Sequence, residues 1–128
     1  MFPAVVLKDQ FDNVQKVEKT DRWVMLSFEK DVAVKLSRFM KQKPADYSGQ
    51  YHIRIISDIS SMPGFITTMF ALPKMRKYPF SVMLIRDDLG KQFDRQKGKV
   101  TLYRLHKGKI VSISFVDPEA LESYMKPR

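Results

Sequence analysis

Apolar residues recur along this chain in spacings typical of both strands and helices. Nearly continuous apolar runs of strand length, each ended by polar residues, lie at 23–28, 51–56 and 80–85. Such runs suit strands that are buried on both faces of a sheet. Alternating apolar and polar residues over 4–20 predict a short N-terminal β-hairpin. The same alternation over 100–105 and 109–115, around a turn containing Gly108, predicts a second hairpin.

Helical spacing appears in three places. The first predicted helix covers 30–41 with Asp31 as its N-cap, and its inward residues are Val32, Leu36, Phe39 and Met40. The second opens at 60–64, is kinked or ended by Pro73, and carries a wide apolar face made of Phe65, Ile66, Met69, Phe70 and Leu72. The last begins at N-cap Asp117 with Pro118 in its first turn, and turns Leu121, Tyr124 and Met125 inward. The polar stretch 86–99 is a predicted loop with one helical turn.

The order of these elements predicts an α/β protein. Strands that alternate with helices imply parallel crossovers, and the closing hairpin adds an antiparallel edge. We therefore expect one domain over 1–128, with a mixed sheet and helices on both faces. A chain of this length can bury a substantial core.

The chain is basic, with 23 basic and 14 acidic residues and a formal net charge of +9. This balance permits binding to nucleic acid, acidic proteins or anionic lipid without selecting one of them. The basic residues form no long run, which favours an ordinary solvated surface. No aromatic-basic motif is present, so we expect no nucleic-acid partner. No apolar stretch approaches the roughly 18 residues that a membrane span requires.

Cysteine is absent from the sequence. This excludes disulfides, thiolate nucleophiles and thiolate metal sites together. The two histidines, His52 and His106, are not at metal-ligand spacing. We therefore expect neither a dedicated zinc site nor a cofactor.

Four segments together resemble the thioredoxin-like superfamily, in particular peroxiredoxins and periplasmic thiol-disulfide reductases. They are LKDQFDN at 7–13, VMLSF at 24–28, TLYRLHKGKIV at 101–111 and VDPEAL at 116–121. The resemblance implies a three-layer α/β/α sandwich with a mixed central sheet, an N-terminal β-hairpin and a C-terminal antiparallel hairpin followed by a helix.

The middle of the chain resembles a group of uncharacterised bacterial thioredoxin-like proteins that lack the C-x-x-C pair. The similar segments are DISSMP at 58–63 and FALPKMRKY at 70–78. This resemblance implies a bacterial protein with the same fold and leaves the function open. The resemblance to periplasmic thiol-disulfide reductases implies a location in the periplasm, with the signal peptide removed. The cytoplasm is the alternative location.

Two departures from the redox-active relatives carry the functional prediction. The resemblance places Asp31 and Val34 where the two cysteines would be, and Val100 where a cis-proline would precede Thr101. A cis bond at a non-proline residue costs about 2.5 to 4 kcal/mol, so a trans peptide is expected at Val100. We predict a redox-inactive domain, neither a thiol-disulfide oxidoreductase nor a thiol peroxidase, that acts as a binding or scaffold module.

One basic segment is a candidate docking patch for an acidic protein partner or an anionic ligand. It comprises Lys74, Met75, Arg76, Lys77 and Tyr78. The alternative is the solvated end of a kinked helix. A second basic group is expected to be only solvated: Lys91, Arg95, Lys97 and Lys99. The oligomeric state stays open, although hairpin edge strands could pair two copies.

Two further hypotheses belong to other classes of protein. Met62, Met69 and Met75 could bind copper(I) in a metal carrier, although their helical spacing favours packing in the core. A carrier of a small anion is a related alternative. An enzyme of non-thiol chemistry would use a set of four residues, Asp31, Asp58, Thr101 and Lys74.

Overall fold

Seven strands lie within residues 1–125, the part of the chain that the computed structural model describes. They are β1 (Val6–Lys8), β2 (Val14–Lys16), β3 (Trp23–Ser27), β4 (Ile53–Asp58), β5 (Met83–Ile85), β6 (Val100–His106) and β7 (Lys109–Val116). β1 and β2 form the predicted N-terminal hairpin, and the other five form a sheet in the order β5-β4-β3-β6-β7. β3, β4 and β5 are parallel, whereas β6 and β7 are antiparallel to their neighbours. The predicted mixed sheet is therefore confirmed.

The helical elements lie mostly between the parallel strands. They are α1 (Lys30–Lys41), α2 (Tyr47–Gln50), α3 (Gly64–Ile66), α4 (Leu72–Met75) and α5 (Leu121–Met125), with 3₁₀ turns at Asp88–Gln92 and Pro118–Ala120. Helix α1 has the predicted bounds, and the four predicted apolar residues are its buried residues. The prediction that Asp31 is the N-cap of this helix is wrong, because Glu29 occupies that position in an extended conformation. Asp31 lies instead in the exposed first turn, where a carboxylate complements the helix dipole.

A π-helical stretch, Thr67–Ala71, joins α3 to α4 and makes 64–75 one continuous helical segment. The Leu72 N–H donates to the Thr67 carbonyl, five residues back. Pro73 lacks the N–H that would bond the preceding turn, so the wider turn accommodates it without ending the helix. We call residues 64–75 the π-bulged helix.

Alternating strand residues divide the core between the two faces of the sheet. Met25 of β3 packs with α1, α4 and α5, whereas its neighbours Val24 and Leu26 pack on the opposite face. That opposite face is covered by the N-terminal segment, through Phe2 and Val5, and by residues of the Asp88–Gln92 turn and its flank. One outer layer thus contains α1, the π-bulged helix and the final helical segment 118–125. The other outer layer is built largely from the N-terminal segment.

The C-terminal hairpin and helix follow the sequence prediction closely. Lys107 and Gly108 have φ values of 51° and 82°, the conformation that a two-residue turn between antiparallel strands requires. Asp117 is the N-cap residue of the final helical segment, with Pro118 in its first turn. Leu121 and Met125 are buried, but Tyr124 is exposed, so its predicted inward orientation is wrong.

A buried polar pair, Asp9 and Gln10, fastens the N-terminal hairpin to the edge of the sheet. The Gln10 amide donates to the carbonyls of Met75 (3.2 Å) and Phe80 (2.7 Å), and its oxygen accepts from the Val82 N–H (2.7 Å). These bonds hold the whole connection between the π-bulged helix and β5.

The Asp9 carboxylate accepts four hydrogen bonds, two from backbone N–H groups and two from side chains. The donors are Phe11, Asn13, Gln15 and Ser81. Burial alone would raise the pKa of Asp9, but these hydrogen bonds favour the charged form and together hold the pKa below its usual value.

Candidate functional site

The carboxyl ends of β3 and β4 lie side by side and form the floor of a groove. Ser27 and Ser57 are register partners there, and the buried Ser27 hydroxyl donates to the Ser57 hydroxyl across 3.3 Å. After these residues the chain leaves the sheet, towards α1 on one strand and towards the π-bulged helix on the other. Ligands of open α/β sheets bind outside such carboxyl ends, so this edge is the first place to seek a site.

The groove has a volume of about 310 Å³ and lies between α1 and the π-bulged helix. Its walls are largely apolar and include Val34 of α1 together with Ile66 and Phe70 of the π-bulged helix. Met62 and Met75 line it as well, and both also pack against the core. The volume is near the lower end of the ~300–1,000 Å³ typical of ligand sites.

Four charged side chains border the groove, and two of them are committed to local hydrogen bonds. Glu29 accepts from the Gly98 N–H at 2.6 Å, and Asp58 accepts from the N–H and hydroxyl of Ser60 at 2.9 and 2.6 Å. Lys30 and Lys74 are exposed, and no carboxylate among residues 1–125 forms an ion pair with either. The four charges of the groove lining sum to zero, and its two lysines are the ones without a hydrogen-bonded partner among the described residues.

The π-bulged helix carries an exposed apolar rim, of which Phe70 also lines the groove. Phe65, Met69 and Phe70 are 64%, 66% and 63% exposed, whereas Leu72 alone of the predicted apolar face is buried. The predicted apolar face is thus mostly exposed, and the assignment of Met69 to the core is wrong. Large apolar side chains clustered on a surface mark interaction sites more often than isolated ones do.

The four positions matched to a redox site do not converge on the groove. Val34 lines it, but Asp31 is exposed outside it. Val100 is completely buried, and Thr101 is buried with its hydroxyl donating to the Asp94 carbonyl at 2.7 Å. Residues 1–125 contain no cis peptide bond, so the trans peptide expected at Val100 is confirmed.

The predicted basic patch is divided by its contacts. Lys74 and Lys77 are exposed, whereas Met75 is half-buried. Arg76 donates to the Gln10 carbonyl at 2.9 Å and lies 3.9 Å from the Asp12 carboxylate.

Tyr78 is buried and lines the groove instead of the outer surface. Its ring stacks on Phe80 at 5.1 Å, and the Lys41 ammonium lies 4.7 Å from its ring centre. Of the five patch residues, only Lys74 and Lys77 present free charge at the surface.

The second basic group has structural contacts that the sequence interpretation did not predict. Arg95 lies over the Phe28 ring at 3.9 Å and donates to the Gly90 carbonyl at 2.7 Å. Lys99 pairs with Asp117 at 2.7 Å, and Lys91 with Asp88 at 3.4 Å. Arg95 and Lys99 therefore hold the 86–99 loop, whereas the Lys91–Asp88 pair lies within the loop and is exposed to solvent.

The other chemical hypotheses receive little geometric support. Of the four residues assigned to a non-thiol enzyme, only Asp58 and Lys74 line the groove. Within the described part of the chain, no three His, Asp or Glu side chains cluster as metal ligands do. None of the helices described is long and apolar enough to cross a membrane.

Comparison with solved structures identifies the architecture. The thioredoxin domain of a thiol-disulfide oxidoreductase from Bacteroides vulgatus superimposes with a TM-score of 0.60 at 14% identity, covering 97% of this chain and 94% of that one. StoA from Bacillus subtilis gives a TM-score of 0.63 at 12% identity and 98% coverage of each chain. Peroxidoxin BcpB from Mycobacterium tuberculosis gives 0.63 at 14% identity, covering 97% and 90%. No protein-family model and no curated protein matches the sequence.

Proposed function

Starting from a thioredoxin-like fold that contains no cysteine, we propose that this chain is a redox-inactive binding module of the bacterial cell envelope. Its groove would hold a short apolar segment of an acidic partner protein. The observation that carries the proposal is the apolar groove with its exposed rim of Phe65, Met69 and Phe70.

The composition of the rim supports a protein partner. Aromatic residues and methionine are enriched in protein interfaces, and the unbranched thioether of Met69 can adapt to different contact shapes. The rim also extends past the groove, which suits a peptide better than a small molecule enclosed on all sides. One partner side chain would enter between Val34 and Phe70 while its neighbours cover the rim.

The charges near the groove support an acidic partner. Lys30, Lys74 and the neighbouring Lys77 are exposed, so an incoming carboxylate can form an ion pair with them. Glu29 and Asp58 keep their negative charge and would direct that carboxylate away from their side of the groove. The net charge of +9 adds a long-range attraction for anionic partners, which speeds association at low salt.

A screen of random twelve-residue peptides displayed on phage tests the groove. We expect enriched peptides to combine an aromatic or aliphatic residue with Asp or Glu, and their labelled synthetic forms to bind in fluorescence anisotropy. Phe70→Ser should weaken binding about 30-fold, the effect of an interface hot spot worth about 2 kcal/mol. Tyr124→Ser is the matched control, since Tyr124 is an exposed aromatic residue outside the groove lining. No enrichment, or equal affinity of the two variants, would contradict the proposal.

Charge reversal tests the acidic character of the partner separately. Lys30→Glu combined with Lys74→Glu should weaken binding and flatten its salt dependence, because two countercharges are lost. Lys97→Glu combined with Lys107→Glu is the control at exposed positions outside the groove lining. Equal losses for both double variants would show that only the net charge matters. Equilibrium dialysis with phosphate and with copper(I) measures the carrier alternatives directly.

The envelope location follows from the resemblance to periplasmic thiol-disulfide reductases and needs its own test. Alkaline phosphatase fused to the complete gene product becomes active only outside the cytoplasm. An active fusion supports the envelope, and a fusion that is inactive although stably produced rejects it. This result is independent of the peptide screen.

A further inference from the structure

The floor of the groove contains two buried hydroxyl groups in an otherwise apolar surrounding. Ser27 and Ser57 lie side by side on parallel strands, and their side chains point to the same face of the sheet as Met25 and Ile55, the face that α1 covers. Both serines line the groove, with exposed fractions of 1% and 5%. Serine is mostly an exposed residue in folded proteins, so a buried pair of serines is unusual. Two polar groups are thus kept at the point where the groove meets the sheet.

The two hydroxyls do not satisfy each other completely. A serine hydroxyl carries one donor and two acceptor lone pairs, so the pair holds two donors. The one hydrogen bond that these side chains form within residues 1–125 joins their Oγ atoms over 3.3 Å, longer than is usual for a hydroxyl donor. Whichever hydroxyl donates in that bond, the other O–H has no acceptor among the described residues. A buried donor without an acceptor is costly, so this O–H favours a ligand that supplies one.

The walls around the serine pair require an apolar body from any ligand that fills the groove. Leu36, Ile55 and Val82 line the groove and belong to the hydrophobic core. Ile66 and Phe70 continue the apolar lining on the π-bulged helix. Polar groups buried against such walls without a hydrogen bond are unfavourable. The groove therefore selects an apolar body with one polar group at its tip, where the serines can reach it.

Neighbouring charges select an uncharged tip. Asp58 directly follows Ser57 and lines the groove, as does Glu29, which lies close after β3 in the sequence. A carboxylate at the floor would be repelled by both and would lose its water of hydration. An ammonium group or an indole N–H only donates, so neither can accept the unpaired O–H. The amides of Asn and Gln do accept, but these side chains cover little apolar wall.

A phenol group meets all of these requirements. We propose that the partner residue that enters the groove is a tyrosine whose hydroxyl binds Ser27 and Ser57, an inference that rests on the proposed function and specifies its ligand. The phenol oxygen accepts the unpaired O–H, and its own proton is donated to a free serine lone pair. The aromatic ring packs against Phe70. Acidic neighbours of this tyrosine reach Lys30 and Lys74, which are exposed.

Three small aromatic molecules test the floor directly. 4-Methylphenol has the tip of tyrosine, toluene lacks the hydroxyl, and 4-methylbenzoate carries a carboxylate in its place. Each is titrated into the ¹⁵N-labelled unmodified chain, and the shifts of the backbone amide resonances give its affinity. 4-Methylphenol should bind about five-fold more tightly than toluene, the effect of one additional hydrogen bond, and more tightly than 4-methylbenzoate. The amide resonances of Ser27 and Ser57 should be among those that shift.

A double variant shows whether the serine pair causes this preference. Ser27→Ala combined with Ser57→Ala removes both hydroxyls and leaves no donor unpaired, so the fold should be kept, which circular dichroism checks first. The preference for 4-methylphenol over toluene should disappear. Ser37→Ala combined with Ser61→Ala is the matched control, because both serines line the groove outside its floor, and this variant should keep the preference.

Three results would overturn the proposal. They are binding of 4-methylphenol to the unmodified chain that is no tighter than that of toluene, tighter binding of 4-methylbenzoate, and a preference that survives the loss of Ser27 and Ser57 hydroxyls. Phage-selected peptides that bind equally with phenylalanine in place of tyrosine would also reject it, while leaving the peptide-binding function intact. A preference for 4-methylphenol without any enriched acidic peptide would instead support the phenol site and reject the peptide-binding function.

Discussion

Replacing Gln10 by alanine should remove one of the strongest internal links of this protein. The Gln10 side chain is completely buried, and its three hydrogen bonds all reach the 75–82 connection. Truncation leaves the buried Val82 N–H without its acceptor and the carbonyls of Met75 and Phe80 without this donor. At about 1 kcal/mol for each of the three groups, and about 1 kcal/mol for the lost side-chain volume, the free energy of unfolding falls by about 4 kcal/mol.

Urea denaturation followed by circular dichroism measures this loss. With a slope of about 1–3 kcal/mol/M, the midpoint should fall by about 2 M. Gln10→Met, which keeps most of the volume, should still lose about 3 kcal/mol because the hydrogen bonds are absent. Gln92→Ala, at an exposed position, is the matched control and should be nearly neutral. If Gln10→Ala lost no more than Gln92→Ala, the link between the hairpin and the 75–82 connection would carry no net stability.

Three other substitutions test separate features of the fold. Hydrogen bonding holds the pKa of Asp9 below its unfolded value, so the contribution of Asp9 to the free energy of unfolding should be complete above pH ~4 and disappear as pH falls through the folded pKa. Urea denaturation should therefore show different stabilities for Asp9→Asn and the unmodified chain at pH 7, and similar stabilities in acid. Gly90→Ala should destabilise by about 1–3 kcal/mol, since the added methyl group overlaps the Asp58 carboxylate, and Asp58→Ala in the same chain should recover part of that loss in thermal melts. Burial raises the pKa of Tyr103, so its neutral form contributes stability below pH ~10 that is lost as pH rises through the folded pKa. Tyr103→Phe should remove that part of the loss of stability at alkaline pH. If the free energy of unfolding of Tyr103→Phe fell with alkaline pH as steeply as that of the unmodified chain, Tyr103 would not be its cause.

Much of the fold was predictable because local patterns and tertiary packing agree. In α1, the spacing of Val32, Leu36, Phe39 and Met40 matches the helical period, and the same residues meet the sheet. The turn at Lys107 and Gly108 was recognisable because few residues tolerate positive φ. The lengths of the strands were harder to predict from the sequence. β5 covers only Met83–Ile85, although the apolar run begins at Phe80, because the segment before it bonds to Gln10 instead of a neighbouring strand.

The site was harder to predict because periodicity does not distinguish an inner apolar face from an outer one. Phe65 and Met69 have the spacing of a core stripe, yet they are exposed on the π-bulged helix. Conversely, Tyr78 follows a basic run, which predicts a surface position, yet its ring is buried against Phe80. The Gln10 contacts join residues 65 to 72 positions apart, and no local pattern encodes such pairs. A glutamine inside a turn-rich cluster was the only available signal.

The unequal edges of the sheet have a consequence for stoichiometry. A protein whose sheet is open at both ends can add copies indefinitely and grow into a filament, whereas one open end limits growth to a single addition. Among the described residues, the Asp9–Met83 bridge occupies the β5 end, which leaves β7 as the open one. A strand that pairs with β7 would therefore occupy the open end. The N-terminal hairpin, which lies at the opposite end of the sheet, limits such addition to a single partner strand.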